Sequence, residues 1–281
     1  TIEPAPESGT ANSPEEFCEG SAPASYNLFD LLTGEDPTGI WYSGLDNTGA
    51  VVSNPVDLSG LTPGDYNFTF NAHHATNLAI DHSSHFLEVD INYYWIKLSE
   101  FIKFKPQNFS QYDGFWVAPG PIQNEFFLHG CIKEIIGKQI PVLITGEAYK
   151  TLLDVLINTY QLNTKNEKLI SDNLVDGNHF EKLHIYPQSK EFQKLFENYS
   201  GIELTSSRFS IYPQLTSALT SQIIDIEAYN QFEDPEIISL KNHPFFVACG
   251  FSPQITSTRE MPHPLIYTFI KSCLLSLNVA S

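Results

Sequence analysis

The sequence predicts an α/β fold: a parallel sheet with helices on both faces, preceded by a short, truncated β-rich segment. Three observations predict it. From residue 71 onward, short apolar runs alternate with segments whose apolar residues recur at helical spacing, the pattern of a sheet covered by helices. Residues 1–63 are rich in Pro, Gly, Ser, Thr and Asp, hold no Lys or Arg, and show strand-and-turn punctuation. The 281 residues are 42% hydrophobic, enough to bury a core in one large domain or two smaller ones. The expected division is a β-rich fragment over 1–63 and an α/β domain over 64–281.

The elements follow in order. Gly39-Ile40-Trp41-Tyr42 and Val51-Val52 read as short strands, with turns at Asp46-Asn47, Pro55 and Pro63-Gly64. Ala75 to Phe86 places Ala75, Leu78, Ala79 and Phe86 at helical spacing, and Val89 to Ile96 reads as a strand. Phe115-Trp116-Val117 is a buried strand ended by Pro119-Gly120. Asn124 to Lys138 is a helix with Phe127, Cys131 and Ile135 on one face. Pro141 to Thr145 is a strand, and Glu147 to Tyr160 a helix with Tyr149, Leu152, Leu153 and Leu156 inward. Leu204 to Ile226 is more strand-like, and the chain closes with a strand over Phe245 to Ala248 and a helix from Leu265.

Charge and motifs exclude several classes. A net charge of −18 repels phosphate backbones and anionic lipid, so nucleic acid is not an expected partner. No run of 18 apolar residues suits a membrane span. The chain opens Thr1-Ile2-Glu3 without a start Met, as expected of a processed or partial chain. Cys18, Cys131, Cys249 and Cys273 form no C-x-x-C pair, and Cys131 and Cys273 read as small core residues. No nucleotide-binding glycine loop occurs, and no cofactor is expected. His73, His74, Asp81, His82 and His85 are dense enough to consider a metal, with His82 and His85 at i, i+3 on one helix face. A loop followed by a solvated helix face is the preferred reading.

In a parallel α/β sheet, ligands sit beyond the carboxyl ends of the strands. Two segments there carry the strongest pattern. Ile140-Pro141-Val142-Leu143-Ile144-Thr145-Gly146-Glu147-Ala148-Tyr149-Lys150 is a strand, a glycine turn and a helix start. His243-Pro244-Phe245-Phe246-Val247-Ala248-Cys249-Gly250-Phe251-Ser252-Pro253-Gln254 is a strand leading to a polar turn. Both are similar to signatures of the class I glutamine amidotransferase domain at the C-terminal end of CTP synthase. Gly114 to Gly120 resembles the loop supplying an oxyanion-hole amide. Gly64-Asp65 and His74 to His82 look like the opening of stand-alone CTP synthase C-terminal region-related proteins.

The resemblance covers about residues 65–281 and implies a flavodoxin-like sheet. It places the family's cysteine at Gly146, its histidine at Ser252 and its carboxylate at Gln254. Glycine can adopt a strained elbow but brings no nucleophile, and neither Ser252 nor Gln254 is a base near neutral pH. Pro121, after Gly120, brings no N–H to an oxyanion hole. The triad is therefore expected to be degenerate, leaving a candidate pocket of His74, Asn77, Gly120, Gly146, Glu147, Ser252 and Gln254. The leading expectation is a catalytically inactive binding or scaffold module. It would take a small amino-acid-like ligand or a partner subunit. The alternative is an active glutaminase with a relocated nucleophile, for which Cys249 is the candidate. No ATP-using synthetase domain is present in the sequence, so this chain alone is not expected to make CTP.

Residues 1–63 resemble a repeat of large surface adhesins from gliding bacteria, on Phe17-Cys18-Glu19-Gly20, Tyr26 to Leu32, Gly39-Ile40-Trp41 and Leu58 to Gly64. That family's second cysteine does not follow, so the repeat reads as truncated. The two resemblances meet within Gly64 to Phe70, as in a hybrid chain. The first implies a cytoplasmic protein and the second a cell-surface one, with a surface adhesion module as a third functional expectation.

Overall fold

The computed structural model describes residues 8–11, 16–17, 21–35, 40–44, 50–62, 64, 66, 68–71, 74–104, 106–119, 124–163, 165, 167–175 and 180–280. Cys18, the turn at Asp46-Asn47 and the loop at Gly120-Pro121 lie outside them. The chain forms two compact units, Pro6–Asn77 and Leu78–Ser281.

The first unit is β-rich. Strand β1 (Ser8–Ala11) pairs antiparallel with β2 (Leu32–Glu35), and β3 (Ile40–Ser43) lies between β4 (Val51–Val52) and β5 (Phe68–Asn71), both antiparallel to it. Tyr26, Leu28, Trp41 and Leu58 bury a small core, and Asn54 Oδ1 accepts the Leu28 N–H at 2.7 Å. Strand β5, where the two resemblances meet, thus belongs to this unit's sheet.

Helix α1 (His74–Leu87) leads into the second unit. There the sheet runs β6 (Phe115–Val117), β7 (Val142–Thr145), β13 (Phe246–Cys249), β12 (Pro235–Leu240), β11 (Ile224–Tyr229) and β9 (Tyr186–Pro187). Strands β6, β7 and β13 are parallel, and the other three add antiparallel. A separate two-stranded ribbon joins β8 (Glu181–His184) to β10 (Ile202–Thr205). The remaining helices are α2 (Leu98–Phe101), α3 (Pro106–Phe109), α4 (Glu125–Ile136), α5 (Ala148–Thr159), α6 (Lys190–Leu195), α7 (Pro213–Gln222), α8 (Pro253–Thr256) and α9 (Pro264–Ala280). The expected α/β class, with helices on both faces, is the observed one.

Apolar runs in the central strands have a simple cause: both faces are covered. Val142 and Ile144 enter one core, with Leu128, Ile132 and Ile135 of α4 and Leu152, Leu153 and Leu156 of α5. Leu143 enters the other, with Val247, Cys249 and Leu265, Ile266 and Phe269 of α9. Trp116 Nε1 donates to Thr145 Oγ1 at 3.0 Å, which fastens the ends of β6 and β7 together.

Two sequence expectations are corrected. Val89–Ile96 is not a strand. Helix α1 ends at Leu87, Glu88 takes a left-handed φ of 55°, and Val89 is tied back by its N–H to Ser84 O at 3.1 Å. Ile91, Tyr93 and Trp95 still pack inward alternately, but residues 89–95 join no ladder. Alternation reports burial; strand formation also needs a partner edge. Leu204–Ile226 is not one strand-like stretch, because α7 interrupts it. Pro213 is pre-set for a first helical turn, and Leu215 and Leu219 form its buried stripe. Its Ser/Thr content masked the pattern: Thr220 Oγ1 donates to Thr216 O at 2.8 Å and Ser221 Oγ to Ala218 O at 2.7 Å. Phe86, near the end of α1, is exposed, with its ring set edge-on to Tyr267. No helix among the described residues is long and apolar enough to cross a membrane.

Candidate functional site

Strand β7 is buried throughout and stops at Gly146, which has φ +62°. Glu147 is already helical in backbone and α5 follows, so this is a tight strand-to-helix elbow. The Gly146 N–H donates to Phe251 O at 3.0 Å, joining the elbow to the turn after β13. A Cβ built on Gly146 would lie 2.4 Å from Pro119 Cβ and 3.2 Å from Pro119 Cα. The volume that a nucleophilic side chain would need to leave the elbow is occupied by proline.

Beyond β13, the Ser252 N–H donates to Leu204 O at 2.9 Å, and Ser252 caps the short α8 with Pro253 in its first turn. Ser252 is 1% exposed and Gln254 3%. Both amide atoms of Gln254 lack a hydrogen-bond partner among the described residues. The structure therefore brings Gly146, Glu147, Ser252 and Gln254 to one end of the parallel strands. His74 and Asn77 begin α1 and cluster with the β-rich unit, and Gly120 lies outside the described residues.

Cys249 is the nearest thiol, at the end of β13. It is fully buried, its Sγ donates to Phe251 O at 3.6 Å, and burial pushes its pKa well above the ordinary thiol range. A thiol so placed is a core residue without thiolate character. The histidine cluster divides between two surroundings. His82 turns toward Ser257 Oγ, 3.5 Å from its Nδ1, whereas His85 lines an acidic recess with Asp81, Glu88 and Asp90. Among the described residues, no group of three His, Cys, Asp or Glu is arranged to hold a metal ion. His73 lies outside them.

Two buried groups escaped the sequence reading. Glu203 and His263 are each wholly buried, with His263 Nε2 3.0 Å from Glu203 Oε1. Thr256 Oγ1 donates to Glu203 Oε2 at 2.8 Å, and His263 Nδ1 accepts the Leu265 N–H at 3.1 Å. An acceptor Nδ1 assigns the ring proton to Nε2, where it is given to Glu203. Both imidazole nitrogens are thus committed, and His263 cannot serve Ser252 as a base. Its sequence signal was a histidine held between two prolines, Pro262-His263-Pro264.

The second group is Glu236 on β12. Its carboxyl accepts from Asn230 Nδ2 at 2.8 Å, and Oε1 lies 2.5 Å from where a Gly250 Cβ would stand. Burial pushes its pKa up to about 8; Asp234 adds to the rise and Arg208 opposes it. Here the signal was a glutamate within an otherwise apolar run, Pro235-Glu236-Ile237-Ile238.

Comparison with known proteins fits this geometry. The glutaminase domain of Trypanosoma brucei CTPS, with bound acivicin, superposes at a TM-score of 0.59 and 16% identity, covering 72% of this chain and 88% of that one. In sequence, CTP synthase of Buchnera aphidicola is 36% identical over 81 residues, 28% of this chain and 15% of the relative. CTP synthase of Caldanaerobacter subterraneus is 36% identical over 105 residues, 35% and 20% of the two chains. The α/β unit has a glutamine amidotransferase-like fold, and the chain is related in sequence to CTP synthase. The matches span 15–20% of these curated relatives. No protein-family model matches the chain. None of these comparisons concerns the β-rich unit's adhesin resemblance. In this unit the strand-to-helix elbow turns at Gly146, and Ser252 and Gln254 follow β13 at the same end of the parallel strands.

Proposed function

We propose that the amidotransferase-like domain is a non-hydrolytic binding or scaffold module, acting on a small amino-acid-like ligand or a partner subunit. One observation carries the reading: the elbow offers glycine where a nucleophile would stand, with Pro119 filling the space a Cβ would need. Ser252 and Gln254 supply no base, His263 is committed to Glu203, and Cys249 is protonated in the core. A reaction that needs an activated nucleophile and a base has neither.

The test is ammonia release from glutamine, with a thiol-trapping control and a Cys249→Ala variant. Turnover is expected to be indistinguishable from background in both proteins, since each missing triad group costs orders of magnitude. Ammonia release by the wild type that vanishes in Cys249→Ala would overturn the proposal in favour of a relocated nucleophile.

For the β-rich unit we propose a separate adhesin-like module, on the strength of its own antiparallel sheet and core. Removing residues 1–71 should shift the melting temperature of the remainder by no more than about two degrees, as expected of separate cores. Failure of the remainder to fold would refute that independence.

A further inference from the structure

The amidotransferase-like domain holds a concavity away from the elbow. It is an open groove of about 790 Å³ between the β9–β11 edge of the sheet and the first turns of α7. That volume falls within the range of small-molecule sites. Tyr186 and Tyr229 are direct cross-strand partners, and both line the groove. Opposed residues of an antiparallel pair stand on one face, so the two tyrosines give a wall of two separate aromatic faces with phenolic rims. Tyr186 is 52% exposed, an open face for an aromatic residue on an edge strand.

The rest of the lining decides the ligand class. Gln188, Thr216 and Ser217 bring an amide and two hydroxyls, and Glu233 is the one charged residue in the lining among the described residues. No described Lys or Arg lines it. In a chain of net charge −18, such a wall repels phosphorylated and carboxylated ligands. Aromatic surface, neutral hydrogen-bonding groups and a single carboxylate acceptor suit a ligand with apolar C–H faces and many hydroxyls. A hydroxyl-to-carboxylate bond is also among the stronger polar contacts.

The wall is preformed. Asn230 Oδ1 accepts the N–H groups of Phe232 and Asp234 at 2.9 and 3.1 Å, which fixes the turn carrying Glu233. Tyr149, three residues after Gly146, donates its hydroxyl to Pro235 O at 3.0 Å. Walls held this way lose little freedom when a ligand enters.

We propose that this groove is a binding site for a neutral saccharide, with a pyranose face on the Tyr186–Tyr229 wall and hydroxyls on Glu233, Thr216 and Ser217. The proposal does not depend on whether the elbow is catalytic. Its test is ligand-observed NMR of the full chain with glucose, N-acetylglucosamine, maltose and cellobiose as probes, and choline as the cationic comparator. At least one sugar is expected to receive saturation on its ring protons. Its affinity should fall tenfold or more in Tyr186→Ala, and also in Ser217→Tyr, which fills the groove from an exposed helix position. The melting temperature should be unchanged in both. Binding of no sugar, binding that survives both variants, or preferential binding of choline that is lost in Glu233→Gln would overturn it.

Discussion

Replacing Glu236 by glutamine should raise stability at alkaline pH and leave it nearly unchanged in mild acid. The carboxyl is 4% exposed, with Asn230 as its donor, Asp234 and Glu181 adding negative potential, and Arg208 opposing them. Tyr149 and Gly250 pack against it. Burial raises its pKa from an ordinary 4.5 to about 8. Between those values the folded protein keeps a proton that the unfolded chain releases, so stability falls as pH rises through the window and levels off above the folded pKa. Each pH unit in the window costs about 1.4 kcal/mol, which summed across it gives a ceiling of roughly 4 kcal/mol at pH 8. A glutamine in this position cannot ionise, and its side-chain carbonyl can still accept from Asn230. Urea unfolding of both proteins at pH 5, 6.5 and 8 measures the difference directly, and every titration shared by the two chains cancels. The expected result is near-equality at pH 5 and a gain of several kcal/mol for Glu236→Gln at pH 8, roughly 10 °C in melting temperature for a unit of this size. A difference that stays flat from pH 5 to 8 would show that Glu236 is already ionised in the folded state, and the reasoning would fail.

Two further outcomes follow from the elbow and the buried pair. Gly146→Cys puts a side chain at φ +62° and drives its Cβ against Pro119, so it should lose roughly 1–3 kcal/mol of stability and alkylate slowly. Adding Pro119→Gly should recover part of the loss and speed alkylation. Equal stability of wild type and Gly146→Cys would mean that the segment at Pro119 moves away at no cost. Glu203→Ala or His263→Ala alone should each cost about 3–5 kcal/mol by leaving a buried polar partner, and the double variant should cost less than their sum. Additive losses in urea unfolding would refute direct coupling.

The α/β class was legible because it rests on local periodicity. Val142 to Thr145 and Phe246 to Cys249 are buried at every position, as a strand covered on both faces requires, and α4 and α5 show their buried stripes plainly. The glycine at the end of β7 was equally legible, since a tight turn there favours the one residue without a Cβ. Where local signals were mixed, the reading failed. Alternation over 89–96 reported packing correctly but could not say that residues 89–95 join no ladder among the described residues, and the hydroxyls of α7 hid a helix whose buried stripe is Leu215 and Leu219.

Composition and spacing thus determined the layers of this protein, its acidic balance and the glycine at the elbow. Only the tertiary structure decided what those residues meet. Pro119 against Gly146, Glu203 against His263 and Glu236 beneath Gly250 are pairs separated by 14 to 60 residues. A side chain's periodicity fixes the face it occupies, but its neighbour on that face is set by which strand lies next in the sheet and how each crossover returns. That order is settled by packing of the whole core, and it turns a glutamate in an apolar strand into a neutral buried acid and a histidine in a proline turn into the fixed partner of a carboxylate.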